Sequence, residues 1–253
     1  LAVHGMGAHS DRFADMAKFL KPKKIAVYAL ELRGFGTLSA EPGHVKTMAV
    51  YHDDISKLKG IIKTENPKVP LFIMGESMGA LIAHMTVLDY DPDYSGLIES
   101  APVYKDVMKI SPARRVGIAL TALFNPEAQV KMPFKTEELS RDKTVISKIR
   151  KDTREHRIAS TGLLVGILLR QIRAAFLMGK IKAPVLLLLA GKDMLGDTEY
   201  NKKLFKKLKC DKEMKLYPDS FHALTIDKNR KQIFADIYRW VSARVKNLSL
   251  IHI

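Results

Sequence analysis

The sequence predicts an α/β fold with a mostly parallel sheet, helices on both of its faces and an inserted helical cap. Short apolar runs alternate with longer amphipathic stretches in residues 1–102, and the alternation resumes in residues 182–247. This pattern is typical of parallel strands joined by right-handed helical crossovers. Residues 103–181 show helical patterns and no convincing strand, so they are predicted to form the cap.

Strands and helices are expected to alternate through both parts of the core. In the first part, the predicted strands are 1–3, 25–30, 69–74 and 96–100, and the predicted helices are 11–20, 45–65 and 80–88. In the second part, the predicted strands are 184–190 and 216–218, and the predicted helices are 198–209 and 230–245. Residues 248–253 do not fit the pattern and are predicted to be a non-native tail.

The pentapeptide Gly75-Glu76-Ser77-Met78-Gly79 carries the clearest chemical signal. It lies between an apolar strand and a helical stretch, which is the setting of a nucleophile elbow. A β-carbon on either flanking glycine is expected to clash with the neighbouring strand or helix. The turn would expose the Ser77 hydroxyl and direct the first amides of the helix toward the same space.

Two further residues complete a predicted catalytic triad. Asp193 follows the apolar strand 184–190, and His222 follows the next predicted strand. The order serine, aspartate, histidine is that of α/β-hydrolases. Asp197 is an alternative acid, but it is better placed to cap the helix that begins near residue 198.

The loop after the first strand is predicted to supply part of an oxyanion hole. It reads His4-Gly5-Met6-Gly7. An α/β-hydrolase takes one oxyanion donor from this loop and one from the residue after the nucleophile. The backbone N–H groups of Met6 and Met78 are therefore the expected donors, and the His4 ring is expected to brace the loop.

Five segments resemble the monoacylglycerol lipase and lysophospholipase branch of the serine hydrolases. They are residues 4–10, 32–36, 75–79, 191–197 and 221–224. The resemblance extends from residue 1 to about residue 245 and implies an α/β-hydrolase fold with a cap. It also implies that Ser77 is the nucleophile, that Asp193 orients His222, and that no cofactor is needed.

The resemblance leaves two features to be explained. Members of the family normally carry a two-stranded hairpin before the first segment, so the chain is expected to lack its N-terminal strands. Glu99, at the end of the strand 96–100, stands where a small or apolar residue is common. Its carboxylate is expected either to repel anionic substrates or to pair with a nearby lysine or arginine.

The cap is both apolar and basic. Residues 103–180 contain 16 Lys and Arg against 7 Asp and Glu, so most of the formal net charge of +15 lies there. Such a cap favours binding of an acyl chain and contact with an anionic lipid surface. The alternative is that its apolar residues form only the core of the cap.

Composition argues against disulfide-stabilised, metal-binding and nucleic-acid-binding proteins. The single cysteine, Cys210, excludes a disulfide framework, and the histidines are scattered without the spacing of metal ligands, so no metal site is expected. No nucleic-acid motif accompanies the basic charge, so no nucleic-acid partner is expected.

The apolar run 161–169 is ended by Arg170 and Arg173 and is expected to be too short to span a membrane. A cytoplasmic location is expected, with peripheral membrane contact through the cap, while a signal peptide stays open.

Together these observations predict a serine hydrolase that cleaves carboxylic esters of single-chain lipids through an acyl-enzyme intermediate. Monoacylglycerols and lysophospholipids are the expected substrates. A small-molecule carboxylesterase, an acyltransferase and a non-catalytic lipid- or membrane-binding protein of the same fold are the alternatives. The sequence leaves the oligomeric state open.

Overall fold

A six-stranded parallel sheet forms the centre of the molecule in the computed structural model, which describes residues 1–38 and 40–251. The strands within these residues are β1 (Ala2–Val3), β2 (Ala29–Leu30), β3 (Phe72–Glu76), β4 (Gly96–Ser100), β5 (Gln129–Lys131), β6 (Ile158–Ser160), β7 (Val185–Ala190) and β8 (Lys212–Tyr217). The sheet order is β2-β1-β3-β4-β7-β8, and every neighbouring pair is parallel. The predicted parallel sheet is confirmed.

Helices cover both faces of this sheet. They are α1 (Ala14–Leu20), α2 (Ala49–Glu65), α3 (Met78–Met85), α4 (Pro112–Phe124), α5 (Lys143–Lys151), α6 (Thr161–Leu177), α7 (Thr198–Lys207) and α8 (Arg230–Ile251). Successive residues of a strand point to opposite faces. In β4, Leu97 therefore joins the core cluster under α2 and α3, whereas Ile98 joins the cluster under α1 and α8.

The segment between β4 and β7 departs from the prediction in one respect. The expectation that it contains no strand is wrong, because β5 and β6 form a two-stranded antiparallel sheet. Each strand is only three residues long, so neither shows a readable alternation of apolar and polar residues. The helix α4 begins at Pro112, and the Ser111 hydroxyl accepts a hydrogen bond from the Arg114 N–H.

The apolar stretch that contains α6 is longer than the predicted run 161–169. Together with the short turn after it, residues 161–180 are long and apolar enough, by length and composition alone, to cross a membrane. The expectation that Arg170 and Arg173 exclude such a segment is therefore wrong, because the flanking residues are apolar enough to offset two charges. In this structure α6 packs against α3 and α4.

The last helix is longer than predicted. It continues through Ile251, so residues 248–251 of the predicted tail extend its backbone. The final two residues of that predicted tail lie outside the described residues. The division into core 1–102, cap 103–181 and core 182–247 stays a prediction.

Candidate active site

Ser77 occupies a strained turn between β3 and α3. Its φ is 60° and its ψ is −121°, a region that side-chain-bearing residues rarely adopt. A β-carbon on Gly75 would lie 2.1 Å from the Gly79 carbonyl oxygen, and one on Gly79 would lie 2.2 Å from the Val3 carbonyl oxygen. The predicted clashes are confirmed, so both glycines are needed for the turn to fit between the sheet and α3.

The carboxyl ends of β3, β7 and β8 bring the three predicted triad residues together. The Ser77 hydroxyl lies 2.8 Å from His222 Nε2 and donates to it. His222 Nδ1 lies 2.9 Å from both carboxylate oxygens of Asp193 and donates to that carboxylate. Asp193 also accepts from the N–H groups of Leu195 and Gly196, at 2.8 and 2.9 Å, which fixes its orientation. This is the geometry of a nucleophile, a base and an orienting acid.

The alternative acid, Asp197, is bound elsewhere. It directly precedes α7 and accepts a hydrogen bond of 2.9 Å from the Tyr200 N–H, so its predicted role as a helix cap is confirmed. Its other oxygen pairs with Lys105 at 2.8 Å. The Asp193 carboxylate is the one that meets His222.

His222 is almost fully buried, and its surroundings set its basicity. Burial by itself lowers the pKa of the imidazole. The Asp193 carboxylate, through its charge and its hydrogen bond, outweighs this effect and holds the pKa of His222 above its ordinary value, with a smaller contribution from Glu76. A raised pKa makes His222 a better acceptor for the Ser77 proton.

The loop after β1 lies directly against Ser77. A β-carbon on Gly5 would be 2.9 Å from the β-carbon of Ser77, so only glycine allows this approach. Met6 and Met78 line the same cavity as Ser77, and Met78 is the first residue of α3. Amides in the first turn of a helix have no intrahelical acceptor, which leaves them available to an oxyanion.

The His4 ring stabilises this loop through two hydrogen bonds. Its Nδ1 donates to the Gly5 carbonyl at 2.8 Å, and its Nε2 accepts from the Leu32 N–H at 3.0 Å. Burial lowers the pKa of His4 to about 4, so the ring is neutral and can play both roles at once.

Residues 1–229 match the family described as serine aminopeptidase, S33. The chain belongs to this family. It is 28% identical to the monoglyceride lipase of Homo sapiens, over 95% of this chain and 81% of that protein. It is 25% identical to an uncharacterized abhydrolase domain-containing protein of Dictyostelium discoideum, over 97% of this chain but 26% of that longer protein.

A solved structure shows the same fold. The monoacylglycerol lipase of Paleococcus ferrophilus superimposes with a TM-score of 0.85 and 24% identity, covering 96% of this chain and 93% of that one. The α/β-hydrolase fold and the resemblance to monoacylglycerol lipases are therefore confirmed. Family, relatives and fold support a carboxylic ester hydrolase.

Ser77 lies at the base of a cavity. The cavity has a volume of about 630 Å³, within the range of small-molecule sites. Ser77, His222 and Met6 line its base. Apolar residues that follow β4 line its walls: Met108, Ile110, Ile118, Leu164, Val165 and Leu168. The cavity can therefore hold an aliphatic chain next to the serine.

One side of the cavity is charged, which sequence reasoning missed. Arg12, on the turn Ser10–Phe13, binds Glu155 through two hydrogen bonds of 2.7 and 2.8 Å. His9 lies 3.6 Å from the same carboxylate. Because Arg12 and Glu155 are 143 residues apart, no local pattern could have indicated the pair.

Glu99 matches neither expectation. It is buried beneath α3, where its carboxylate lies 2.8 Å from His84 Nδ1 and accepts from the Tyr104 hydroxyl at 2.5 Å. It is absent from the cavity lining of the described residues and pairs with no lysine or arginine there. Both readings of Glu99 are wrong because its side chain points to α3 and not along the sheet edge.

Within residues 1–38 and 40–251, no group of three or more His, Cys, Asp or Glu side chains could hold a metal ion.

Proposed function

We propose that this chain is a serine hydrolase that cleaves carboxylic esters of single-chain lipids through an acyl-enzyme intermediate. The observation that carries the proposal is the 2.8 Å contact between Ser77 Oγ and His222 Nε2 at the base of a cavity with aliphatic walls. A human relative named monoglyceride lipase supports it. Monoacylglycerols and lysophospholipids are the substrates that we favour.

In the first half of the reaction, Ser77 Oγ attacks the ester carbonyl carbon while its proton moves to His222 Nε2. The carbonyl oxygen becomes an oxyanion, for which the N–H groups of Met6 and Met78 are the proposed donors. Asp193 keeps the imidazole in the correct tautomer and stabilises the imidazolium. The C–O bond to the alcohol then breaks, and the alcohol leaves with the proton from His222.

In the second half, water replaces the alcohol. His222 takes a proton from the water, and the resulting hydroxide attacks the acyl carbon. The bond to Ser77 Oγ breaks, the proton returns from His222 to Ser77, and a fatty acid is released. No group other than those already named is needed for this sequence of steps.

Charge pairing in the cavity favours a neutral ester over the aminopeptidase activity named by the family description. A site for a free amino group would need a carboxylate available to bind it. Three of the four lining carboxylates are instead held by bidentate arginines at 2.7–3.0 Å, in the pairs Arg115 with Asp106, Arg154 with Asp152 and Arg12 with Glu155. The fourth, Glu76, is buried and accepts hydrogen bonds from Ser100 and Thr225.

We further propose peripheral contact with a lipid surface through the outer sides of α4 and α6. These helices line the cavity with one side and expose large apolar residues on the other. The exposed fractions reach 73% for Leu123, 89% for Phe124 and 83% for Phe176. Residues 103–180, which include both helices, are also strongly basic, so an anionic membrane would attract them.

The first test is hydrolysis of p-nitrophenyl esters from C2 to C16, with Ser77→Ala as the control. We expect turnover to peak at medium or long chains and to vanish in the variant, because the nucleophile is lost while the fold is kept. Monoacylglycerol and lysophospholipid are then compared directly. A peak at C2–C4 would instead indicate a small-molecule carboxylesterase, and full activity of Ser77→Ala would refute the mechanism.

A further inference from the structure

Glu76, the residue before Ser77, is a buried carboxylate that accepts three hydrogen bonds. Only 5% of it is exposed. Oε1 accepts from the Ser100 hydroxyl and from the Thr225 N–H, both at 3.0 Å. Oε2 accepts from the Thr225 hydroxyl at 2.8 Å. Charged acceptors form stronger hydrogen bonds than neutral ones, so these contacts hold Glu76 firmly.

These donors are neutral, which makes the charge of Glu76 notable. Among residues 1–38 and 40–251, no lysine, arginine or histidine nitrogen lies within 4.0 Å of its carboxylate. Burying a carboxylate without a cation costs free energy that a neutral side chain of the same shape would avoid. A role for the charge itself would explain why a glutamate stands there.

The Thr225 contacts tie Glu76 to the loop that carries His222. Thr225 lies in the turn Leu224–Ile226, three residues after His222. On the other side of His222, the Phe221 N–H donates to Asp227 at 3.0 Å. The loop is thus held on both sides of the histidine, and Glu76 connects it to the strand that ends at the nucleophile.

We propose that Glu76 is a positioning residue for His222, which fixes the histidine loop through Thr225 and stabilises the imidazolium through its negative charge. The inference rests on the proposed function for its catalytic meaning, since the imidazolium forms when Ser77 gives up its proton. Glu76 does not exchange a proton in this scheme.

The charges around His222 are consistent with this role. Asp193, on the loop after β7, and Glu76, on β3, both favour the protonated imidazole. Burial disfavours the protonated imidazole, and so does the positive charge of Arg12, on the turn before α1. Asp193 and Glu76 together keep the pKa of His222 above its ordinary value in a site where burial alone would lower it.

Glu76→Gln tests the charge, because glutamine keeps the shape and can keep the hydrogen bonds. Its oxygen can accept from Thr225 N–H and Ser100, and its NH2 can donate to the Thr225 hydroxyl, which is able to accept. We expect the acid limb of kcat/KM against pH to move down by roughly 0.5–1 pH unit, since a nearby negative charge is lost. We also expect kcat on the plateau to fall roughly tenfold.

Thr225→Val is the matched control, because it removes the hydroxyl contact and leaves the charge of Glu76 in place. We expect it to lower kcat while the acid limb stays at the wild-type pH. If Glu76→Gln does not fold, this variant carries the test of the positioning role, and wild-type kcat in Thr225→Val would overturn that role. Melting curves show whether each variant is folded.

NMR titration of the His222 ring proton, assigned with His222→Gln, gives a readout that needs no turnover. A midpoint lowered in Glu76→Gln and unchanged in Thr225→Val supports the inference. An unchanged midpoint in folded Glu76→Gln overturns the charge role, even if activity is lost. If no ester is hydrolysed by the wild-type protein, the proposed function fails, and the titration still reports on Glu76 separately.

Discussion

Asp193 and Asp197 lie on the same loop, yet their carboxylates serve different structures. Asp193 meets His222 at 2.9 Å, whereas Asp197 caps α7 and pairs with Lys105. We expect Asp193→Asn to reduce kcat/KM by about 10³- to 10⁴-fold, because the amide cannot hold the correct tautomer of His222. Asp197→Asn should change it by less than about tenfold, because asparagine also caps helices. Steady-state kinetics on one p-nitrophenyl ester compares the two, and equal losses would contradict the assignment.

The helices α4 and α6 line the cavity and also carry the most exposed large apolar side chains among the described residues, so their outer side can be tested apart from catalysis. We expect the double variant Leu123→Ser and Phe124→Ser to bind anionic liposomes roughly tenfold more weakly, because two large side chains can no longer insert. Turnover of a soluble short-chain ester should stay the same, since neither residue lines the cavity.

Ile61→Ser is the matched control for this experiment. Ile61 is a large apolar residue on α2 that is 54% exposed, but it lies outside α4 and α6. We expect it to leave liposome binding at the wild-type level. Co-sedimentation with vesicles measures both variants, and equal binding by wild type and the double variant would exclude this face as the contact surface.

Elements were predictable from sequence where the pattern is local and strong. The run 184–190 is apolar throughout and became β7, and the pentapeptide around Ser77 marked the boundary between β3 and α3. In contrast, β2 covers only Ala29–Leu30 of the predicted strand 25–30, and the β5–β6 pair was missed. Such short strands exist because a distant segment pairs with them, and that partner leaves no local trace.

The same distinction holds for the site. Ser77, Asp193 and His222 could be placed because each follows a recognisable strand in a fixed chain order. Two other pairs could not be predicted, because each depends on a contact between residues that are far apart in the chain. They are Arg12 with Glu155, 143 residues apart, and Glu76 with Thr225, 149 residues apart. For Glu99, the predicted position on a strand was correct, but the direction of its side chain was not predictable. The side chain meets His84, and that contact depends on the packing of α3.

For the molecule as a whole, buried neutral histidines predict sensitivity to acid. Burial lowers the pKa of both His4 and His52 to about 4, whereas a histidine in the unfolded chain titrates near ~6.5. Between these values the unfolded chain binds more protons, so the free energy of unfolding falls as the pH drops from about 6.5 to about 4. His222 acts in the opposite sense: its raised pKa gives stability that is present below ~6.5 and lost as the pH rises through the folded pKa.

His52→Gln isolates one of these contributions, because His52 is buried at 2% exposure and does not line the cavity that holds Ser77 and His222. Its Nδ1 donates to the Thr86 hydroxyl at 2.8 Å, a bond that the glutamine amide can replace. Between pH 7 and pH 5 we expect the variant to lose about 2 kcal/mol less of its free energy of unfolding than the wild type. Urea titrations at three pH values measure this, and the denaturant dependence should stay constant if only stability changes. Identical losses in the two proteins would mean that His52 titrates alike in the folded and unfolded chains.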